Sequence, residues 1–370
     1  MGGDMTGQQR KHIVIVSPAL ADANNGNWQT ARRWQRMLSG SHSARITREW
    51  PGHMADNENG LPAAENPTAG AAQIATGSAA RNANVRSAFN ATDDHVMLAL
   101  HARRSAPSIA AWAAARGSHS LAVVLTGTDL YRDIATDAAA QHSLALASQL
   151  VVLQAMGTQS LPADLRTKTR VVFQSTSARQ TLAKTAQHLR AVMVGHLRDE
   201  KDPLTLMAAA QALTAHDGIH IDHIGAPLDA ALGQAAQATA QACPHYRWLG
   251  AQPHETTRRR IQRAHVLVHT SRLEGGAHVI MEAVRSGTPV LASRIDGNVG
   301  MLGADYAGYF EPGNAAQLTQ LLRQARATQH QADGLLARLA AQCALRAPLF
   351  APEAEQRALL NLVAALSRQP

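Results

Sequence analysis

Residues 271–289 constrain the fold and the site of this chain more than any other segment. They read SRLEGGAHVIMEAVRSGTP and place Glu274 and Glu282 eight positions apart around the start of a predicted helix. The apolar run at 266–268 just before them predicts a buried strand. Small residues after Glu274 let backbone N–H groups approach a ligand at the helix N-terminus, where an anion is favoured. These residues are Gly275, Gly276 and Ala277.

A sugar nucleotide fits this arrangement. Its diphosphate suits the helix start, and Glu274, on the loop before the helix, can reach a hydroxyl of the sugar. Glu282, about two turns into the predicted helix, can accept hydrogen bonds from the two hydroxyls of a ribose. The alternative is an ordinary helix that ends in a cap at Gly287.

The Glu-x7-Glu spacing, with Ser271 before it and Gly-Thr-Pro-Val after it, resembles the donor site of retaining GT-B glycosyltransferases. The resemblance implies an α/β fold of two Rossmann-like, doubly wound domains that face an interdomain cleft. It extends to residues 194–203, where Lys201 matches the family lysine that holds the donor diphosphate. His196 stands where the family has an arginine, and Arg198 follows. A guanidinium suits phosphate better than a neutral imidazole, so Arg198 is the better candidate and His196 stays open.

A chain of 370 residues is too long for one ordinary core and predicts two domains of roughly 150 to 200 residues each. We expect an acceptor-side domain at 11–185, a nucleotide-sugar-binding domain at 186–350, and a C-terminal helix at 351–370 that crosses back to the first domain. Residues 1–10 look like a cloning remnant. Residues 52–92 hold few large apolar side chains and predict a mobile insertion.

The bulk properties exclude several classes of protein. The net charge is +8, but the arginines are scattered and not interleaved with aromatic residues, so we expect no nucleic-acid partner. Clusters at Arg32, Arg33 and Arg36 and at 258–260 are expected to face solvent, although the first of them, beside two tryptophans, also suits a lipid surface. Two distant cysteines argue against disulfides and zinc and fit a cytoplasmic protein, and no apolar run is long enough to predict integral membrane association.

Polar residues follow two predicted strands of the first domain, 95–100 and 121–125. In doubly wound sheets ligands bind beyond the carboxyl ends of strands, so these residues are candidates for the acceptor side. Asp129 either orients a neighbouring side chain or caps the next helix. The candidates at these two strand ends are His101, Arg103, Arg104, Thr126 and Asp129.

Segments 99–105, 125–131 and 194–198 together resemble the selenosugar synthases of selenoneine biosynthesis, a GT-B subfamily, over nearly the whole chain outside 1–10 and 52–92. The resemblance implies that a UDP-sugar, typically UDP-N-acetylglucosamine, reacts with selenophosphate to give a 1-selenosugar, UDP and phosphate. It implies no cofactor and no metal, and the chain lacks the Asp-x-Asp motif of metal-dependent GT-A enzymes. The alternatives are transfer to a hydroxyl acceptor, a UDP-sugar epimerase or hydrolase, and an inactive binding module.

The candidate residues, taken from the strand ends and from the resemblance together, divide into three groups. Catalysis falls to His101, Lys201 and Glu274. Donor binding falls to Arg198, Lys201, Ser271, Glu274, Gly275, Gly276, Ala277 and Glu282. Acceptor binding falls to Asn25, Gly26, Asn27, Arg103, Arg104, Thr126 and Asp129.

Overall fold

The computed structural model describes residues 10–20, 26–51 and 93–368. The predictions for residues 1–9 and 52–92, and for Asn25, therefore lie outside the described residues. The described chain forms two parallel six-stranded sheets. The first contains β1 (His12–Val16), β2 (Ser43–Thr47), β3 (Val96–Leu100), β4 (Leu121–Leu125), β5 (Gln149–Val152) and β6 (Thr169–Val171). The second contains β7 (Leu189–Val194), β8 (Ile219–Ile224), β9 (Tyr246–Trp248), β10 (Val266–His269), β11 (Val290–Ser293) and β12 (Tyr309–Phe310).

Helices connect the strands in both sheets. Those of the first half are α1 (Gly26–Leu38), α2 (Ala106–Arg116), α3 (Ile134–Thr136), α4 (Ala138–Leu146) and α5 (Ala163–Arg166). Those of the second half are α6 (Pro203–Ala212), α7 (Ala230–Ala242), α8 (His254–Arg263), α9 (His278–Val284), α10 (Asp296–Leu302), α11 (Ala315–Ala327), α12 (Leu335–Arg346) and α13 (Pro352–Leu366).

The strand orders are β2-β1-β3-β4-β5-β6 and β12-β11-β10-β7-β8-β9. Each order reverses direction once, between β1 and β3 in the first sheet and between β7 and β10 in the second. Crevices that bind ligands open at the carboxyl ends of strands at such switch points. The predicted α/β architecture of two doubly wound domains is therefore confirmed, and the segment around Glu274 follows a strand at the switch point of the second sheet.

The central strands are built from residues that prefer a buried, pleated surface. Every residue of β3 and β4 is fully or almost fully buried, as expected for apolar runs in a parallel sheet covered on both faces. The first sheet has one apolar cluster on each face, and the second domain has one large cluster.

The C-terminal helix α13 belongs to the core of the first domain. Leu359, Leu362, Val363 and Leu366 are buried in the same cluster as residues of β1 and α1. The chain therefore returns to the first domain after completing the second. This return places α13 beside α1 and beside the segment that joins the two domains.

Candidate active site

The segment after β10 is bound to the loop after β7. Thr270 Oγ1 donates a hydrogen bond of 2.7 Å to the carbonyl of Lys201, so the two strand ends hold one another in register. Ser271 is fully buried, and its Oγ has no hydrogen-bond partner among the described residues. A buried hydroxyl without a partner costs free energy, and such groups recur where a ligand supplies the partner.

Glu274 is a buried carboxylate held by the side chains of a lysine and a histidine. Its Oε1 is paired with Lys201 Nζ and lies 3.2 Å from His269 Nε2 at the end of β10. Burial alone would raise the pKa of Glu274, but the charge of Lys201 and the contact with His269 lower this pKa well below its ordinary value. Glu274 is therefore ionised at neutral pH, and its partners are side chains that can move.

Gly275 and Gly276 lie at a close contact between the two domains. A Cβ on Gly275 would overlap the carbonyl of Thr126 and lie 2.7 Å from the amide nitrogen of Gly127. A Cβ on Gly276 would lie 3.0 Å from Leu153. Gly275 is required because the loop after β10 packs directly on the backbone after β4, and Gly276 lies in tight contact with the loop after β5. The site residues of both domains therefore lie on either side of this contact.

Helix α9 begins later than the sequence predicts. Its first residue is His278, and Ala277 is the N-cap, with its amide donating to the sulfur of Met301 at 3.1 Å. Glu282 therefore lies little more than one turn into the helix, not two. The reason is the interdomain contact of Gly275 and Gly276, which keeps residues 275–277 out of the helix. The assignment of the 275–277 amides to a diphosphate stays a prediction.

Glu282 is buried and faces three basic side chains. Its Oε1 lies 2.7 Å from His254 Nε2, 3.8 Å from Arg258 Nη1 and 4.0 Å from His278 Nδ1. The hydrogen bond to Glu282 raises the pKa of the His254 imidazole. A carboxylate oxygen accepts more than one hydrogen bond, so Glu282 can also receive a ligand hydroxyl.

The basic residues after β7 have different surroundings. His196 is exposed, and its Nδ1 accepts a hydrogen bond of 3.1 Å from the amide of Ala226. Arg198 is half exposed, with its Nε 3.9 Å from Glu200. The side chain of Lys201 lies over Gly195 and is largely buried. The assignment of Lys201 to the donor diphosphate stays a prediction, and the choice between His196 and Arg198 stays open.

On the first domain, His101 directly follows β3 and adopts a left-handed backbone with φ of 72°. This region is unfavourable for a residue with a Cβ, and such strain is typical of functional positions. The His101 Nδ1 accepts from the amide of Arg104 at 3.3 Å, so Nε2 carries the proton and bonds Thr128 Oγ1 at 3.1 Å. Burial lowers the pKa of His101, which favours the neutral imidazole.

Asp129 is fully buried and organises the loops after β3 and β4. Its carboxylate accepts hydrogen bonds of 2.8 to 3.0 Å from three backbone amides, those of Ala102, Thr126 and Gly127. The side chain of Thr126 lies 3.5 Å from the same carboxylate. All three amides precede Asp129 in the chain, and the helical turn that begins at Asp129 has Thr128 as its N-cap, without a side-chain cap bond. The carboxylate therefore holds the two loops together, and the capping interpretation is wrong.

The two predicted acceptor arginines differ in their contacts. Arg103 Nε donates to Asp133 Oδ2 at 3.0 Å, and Asp133 also lies 3.8 Å from His101 Nε2. Arg104 is exposed. Gly26 and Asn27 form the start of α1. The structure thus brings His101, Arg103 and Arg104 to one strand end, while their contact with an acceptor stays a prediction.

Two arginines expected to face solvent are instead largely covered by the fold, and both expectations were wrong. Arg258 is 2% exposed and donates to Thr176 Oγ1 and to the carbonyl of Ser177 in the interdomain segment. Arg33 forms a bidentate pair with Glu355 of α13, at 2.8 and 3.0 Å. The pairing partners lie far away in the sequence, so the arginine clusters alone carried no signal of burial. His269, His254 and Asp133 were also missed.

Three further observations concern metals, cysteines and membranes. Within 10–20, 26–51 and 93–368, no group of three or more His, Cys, Asp or Glu side chains is arranged to hold a metal ion. Cys243 and Cys343 are free and buried. In the same ranges no helix has the length and apolar character needed to cross a bilayer.

Comparison with known proteins finds similarity over the second domain and over the whole fold. Residues 174–334 match the model of the family described as glycosyl transferases group 1. A glycosyltransferase from Rickettsia africae superposes with a TM-score of 0.69 at 14% identity, over 98% of this chain and all of the other. Sucrose-phosphate synthase from Thermosynechococcus elongatus gives a TM-score of 0.67 at 16% identity, over 95% and 98%.

A third structure, S. aureus TarM in complex with UDP, gives a TM-score of 0.57 at 13% identity. The match covers 72% of this chain and 55% of TarM, so the chain spans about half the length of that protein. At these identities the superpositions establish the fold. The chain has the GT-B fold, and its residues 174–334 are similar to the glycosyl transferases group 1 family.

Proposed function

We propose that the protein transfers a sugar from a UDP-sugar donor bound between its two domains. The observation that carries the proposal is the ionised Glu274, held by Lys201 at the switch point of the second sheet and placed against the Gly127 loop of the first domain. A carboxylate with a movable cationic partner can accept from a sugar hydroxyl while the cation turns to a phosphate. The UDP in the TarM complex is in keeping with this donor class.

The parts of the donor are assigned to neighbouring residues. Lys201, with Arg198 or His196, neutralises the diphosphate, and Glu282 accepts from the ribose. Ser271 contributes its unpartnered hydroxyl. We further propose that no divalent ion is needed, because these cations supply the positive charge on which departure of UDP depends. Excess EDTA should then leave turnover unchanged, and a loss of activity restored by Mg²⁺ or Mn²⁺ would contradict this part.

We propose selenophosphate as the acceptor and UDP-N-acetylglucosamine as the donor. Selenium attacks the anomeric carbon, the bond from that carbon to the diphosphate oxygen breaks, and its electron pair leaves with UDP. Water then cleaves the selenium–phosphorus bond to release phosphate and the 1-selenosugar. No residue is assigned to this second step.

The first-domain face supports an acceptor that needs no deprotonation. Asp129 is occupied by backbone amides, Asp133 is held by Arg103, and His101 Nδ1 already accepts from the amide of Arg104. A hydroxyl acceptor needs a general base, whereas selenophosphate is already ionised. Arg103 and Arg104 offer the cations that its phosphoryl group requires.

A hydroxyl acceptor is the second candidate, and one observation favours it. A cavity of about 600 Å³, lined mainly by aliphatic side chains, lies beside Tyr131 in the first domain. Burial and the nearby charges of Asp296 and Glu274 raise the pKa of Tyr131 to about 12. Such a volume fits a larger organic acceptor better than it fits selenophosphate.

Mass spectrometry of the products separates these candidates. The protein is incubated with UDP-N-acetylglucosamine and fresh selenophosphate, with thiophosphate and no-acceptor reactions in parallel. The proposal predicts a hexosamine with a selenium isotope pattern and release of UDP that depends on selenophosphate. Binding of UDP-sugar without a selenium product would favour the hydroxyl acceptor, and release of UDP without any acceptor would indicate a hydrolase.

A further inference from the structure

His278 is the first residue of α9 and lies between the two domains. Its Nε2 is 3.3 Å from Arg33 Nη1 of α1. Because a guanidinium only donates, Nε2 must accept, and the proton of the neutral ring is on Nδ1. Burial and the charge of Arg33 lower the pKa of His278 to about 4, so the ring is neutral at physiological pH.

The protonated nitrogen of this ring lies near the carboxylate of Glu282. Nδ1 is buried and has no hydrogen-bond partner within the part of the chain that the structure describes. It lies 4.0 Å from Glu282 Oε1, too far for a hydrogen bond between the two. One ligand oxygen atom between them can lie about 2.8 Å from Nδ1 and about 2.8 Å from Oε1 at the same time, and so form a hydrogen bond with each. A hydroxyl suits the position because it accepts from one side and donates to the other.

The position of His278 is fixed from the first domain. Arg33 also forms the bidentate pair with Glu355, which is 1% exposed. Glu355 accepts from Trp34 Nε1 at 2.7 Å and from the amide and hydroxyl of Ser175 at 2.7 and 2.6 Å. Five donors thus hold one carboxylate, which leaves Arg33 little freedom. The guanidinium fixes both the tautomer and the orientation of His278.

We propose that His278 and Glu282 together bind one ribose hydroxyl of the nucleotide, His278 donating and Glu282 accepting, and that Arg33 positions His278 across the domain boundary. The inference rests on the proposed UDP-sugar function and adds a residue that discriminates ribose from deoxyribose. His278 contacts the ligand, whereas Arg33 and Glu355 are positioning residues.

Titration calorimetry with UDP, 2′-deoxy-UDP and 3′-deoxy-UDP tests the contact. His278→Ala should weaken UDP binding about five- to tenfold, the effect of one lost hydrogen bond. The same variant should bind the analogue that lacks the contacted hydroxyl as well as wild type does. His278→Asn, which keeps a donor near the Nδ1 position, should recover most of the affinity. Equal weakening for all three nucleotides, or none for UDP, would overturn the proposal.

A double-mutant cycle tests the positioning role of Arg33. Arg33→Gln should weaken UDP binding about threefold when His278 is present and not at all in the His278→Ala background. Arg33→Lys keeps a cation beside Glu355, guards against loss of folding, and should show the same dependence on His278. Arg32→Gln, on the exposed face of the same helix, is the matched control and should bind UDP like wild type.

Additive losses from the two sites would overturn the positioning role. Thermal unfolding of each variant separates loss of folding from loss of contact. A wild-type protein that binds no uridine nucleotide would contradict the proposed function itself, whereas normal UDP binding with no effect of His278 contradicts only the present inference.

Discussion

Two buried carboxylates near the domain boundary, one in each domain, differ in the groups that hold them. Glu274 in the second domain contacts the side chains of Lys201 and His269. Asp129 in the first domain accepts from three backbone amides of the loops after β3 and β4. Backbone amides fixed in a fold cannot turn away, whereas a lysine side chain can exchange a carboxylate for a phosphate. Burial alone therefore does not identify a functional carboxylate. The kind of group that binds the carboxylate distinguishes the two cases.

Substitution of Glu274 should have the largest effect on turnover and therefore tests this comparison most strongly. Glu274→Gln keeps the shape of the side chain but removes the charge that pairs with Lys201. We expect turnover to fall by about 10²- to 10³-fold, in the range measured when one electrostatic contact to a transition state is removed. Release of UDP under saturating substrates measures the effect. Glu311 is an exposed carboxylate of the same domain, and Glu311→Gln should leave turnover unchanged. An equal loss of turnover in that variant would contradict the functional role of Glu274.

Lys201 should rank next. Lys201→Met removes the cation predicted to hold the diphosphate, and we expect UDP binding to weaken about 10- to 100-fold. The variant also frees the pKa of Glu274 to rise, because burial raises it and Lys201 is the main group that lowers it. A carboxylate with a depressed pKa loses its charge only as the pH falls through that pKa. Because the pKa of Glu274 is higher in the variant, acidification should abolish the residual activity of the variant at a higher pH than it abolishes the activity of wild type. Identical pH profiles of kcat/KM would contradict the pairing.

Arg104 tests the acceptor side with a smaller effect. Arg104→Gln removes an exposed cation at the end of β3, and we expect the KM for selenophosphate to rise about tenfold while the KM for the donor stays the same. Arg36→Gln, an exposed arginine on α1, is the matched control. A change in the KM for the donor alone would contradict the assignment of Arg104 to acceptor binding.

Asp129 should show the smallest effect on turnover and a clear effect on stability. Asp129→Asn replaces one accepting oxygen by an NH₂ group that faces amide donors. We expect the free energy of unfolding to fall by about 2–4 kcal/mol, with turnover per folded molecule within about threefold of wild type. Denaturant unfolding gives the first quantity and active-site titration with UDP normalises the second. A stable Asp129→Asn protein with little turnover would contradict the structural role that distinguishes Asp129 from Glu274.

The sequence predicts the fold well because the strands of buried parallel sheets are local signals. The apolar runs of β3 and β4 are continuous, and the segment around Glu274 follows a short apolar strand. Strand β2 is polar and carries no such run. Its Arg45 is buried because it pairs with Asp94, a contact between residues far apart in the sequence. The strand was not predicted for that reason.

The parts of the site that depend on distant contacts were out of reach. Arg33 pairs with a glutamate 322 positions away, and Arg258 binds the interdomain segment 82 positions before it. The late start of α9 follows from the packing of Gly275 on Gly127, which no local pattern encodes. The donor segment could be recognised from its spacing, but the groups that orient it had to come from the folded chain.

A crystal structure with UDP tests the central claim most directly, namely that the second-domain site receives the nucleotide. The account predicts a ribose hydroxyl within hydrogen-bond distance of Glu282 and a diphosphate oxygen within reach of Lys201 Nζ, with the Asp129 loop unchanged. A nucleotide bound elsewhere, with Glu282 still held only by His254 and Lys201 still paired with Glu274, would contradict it.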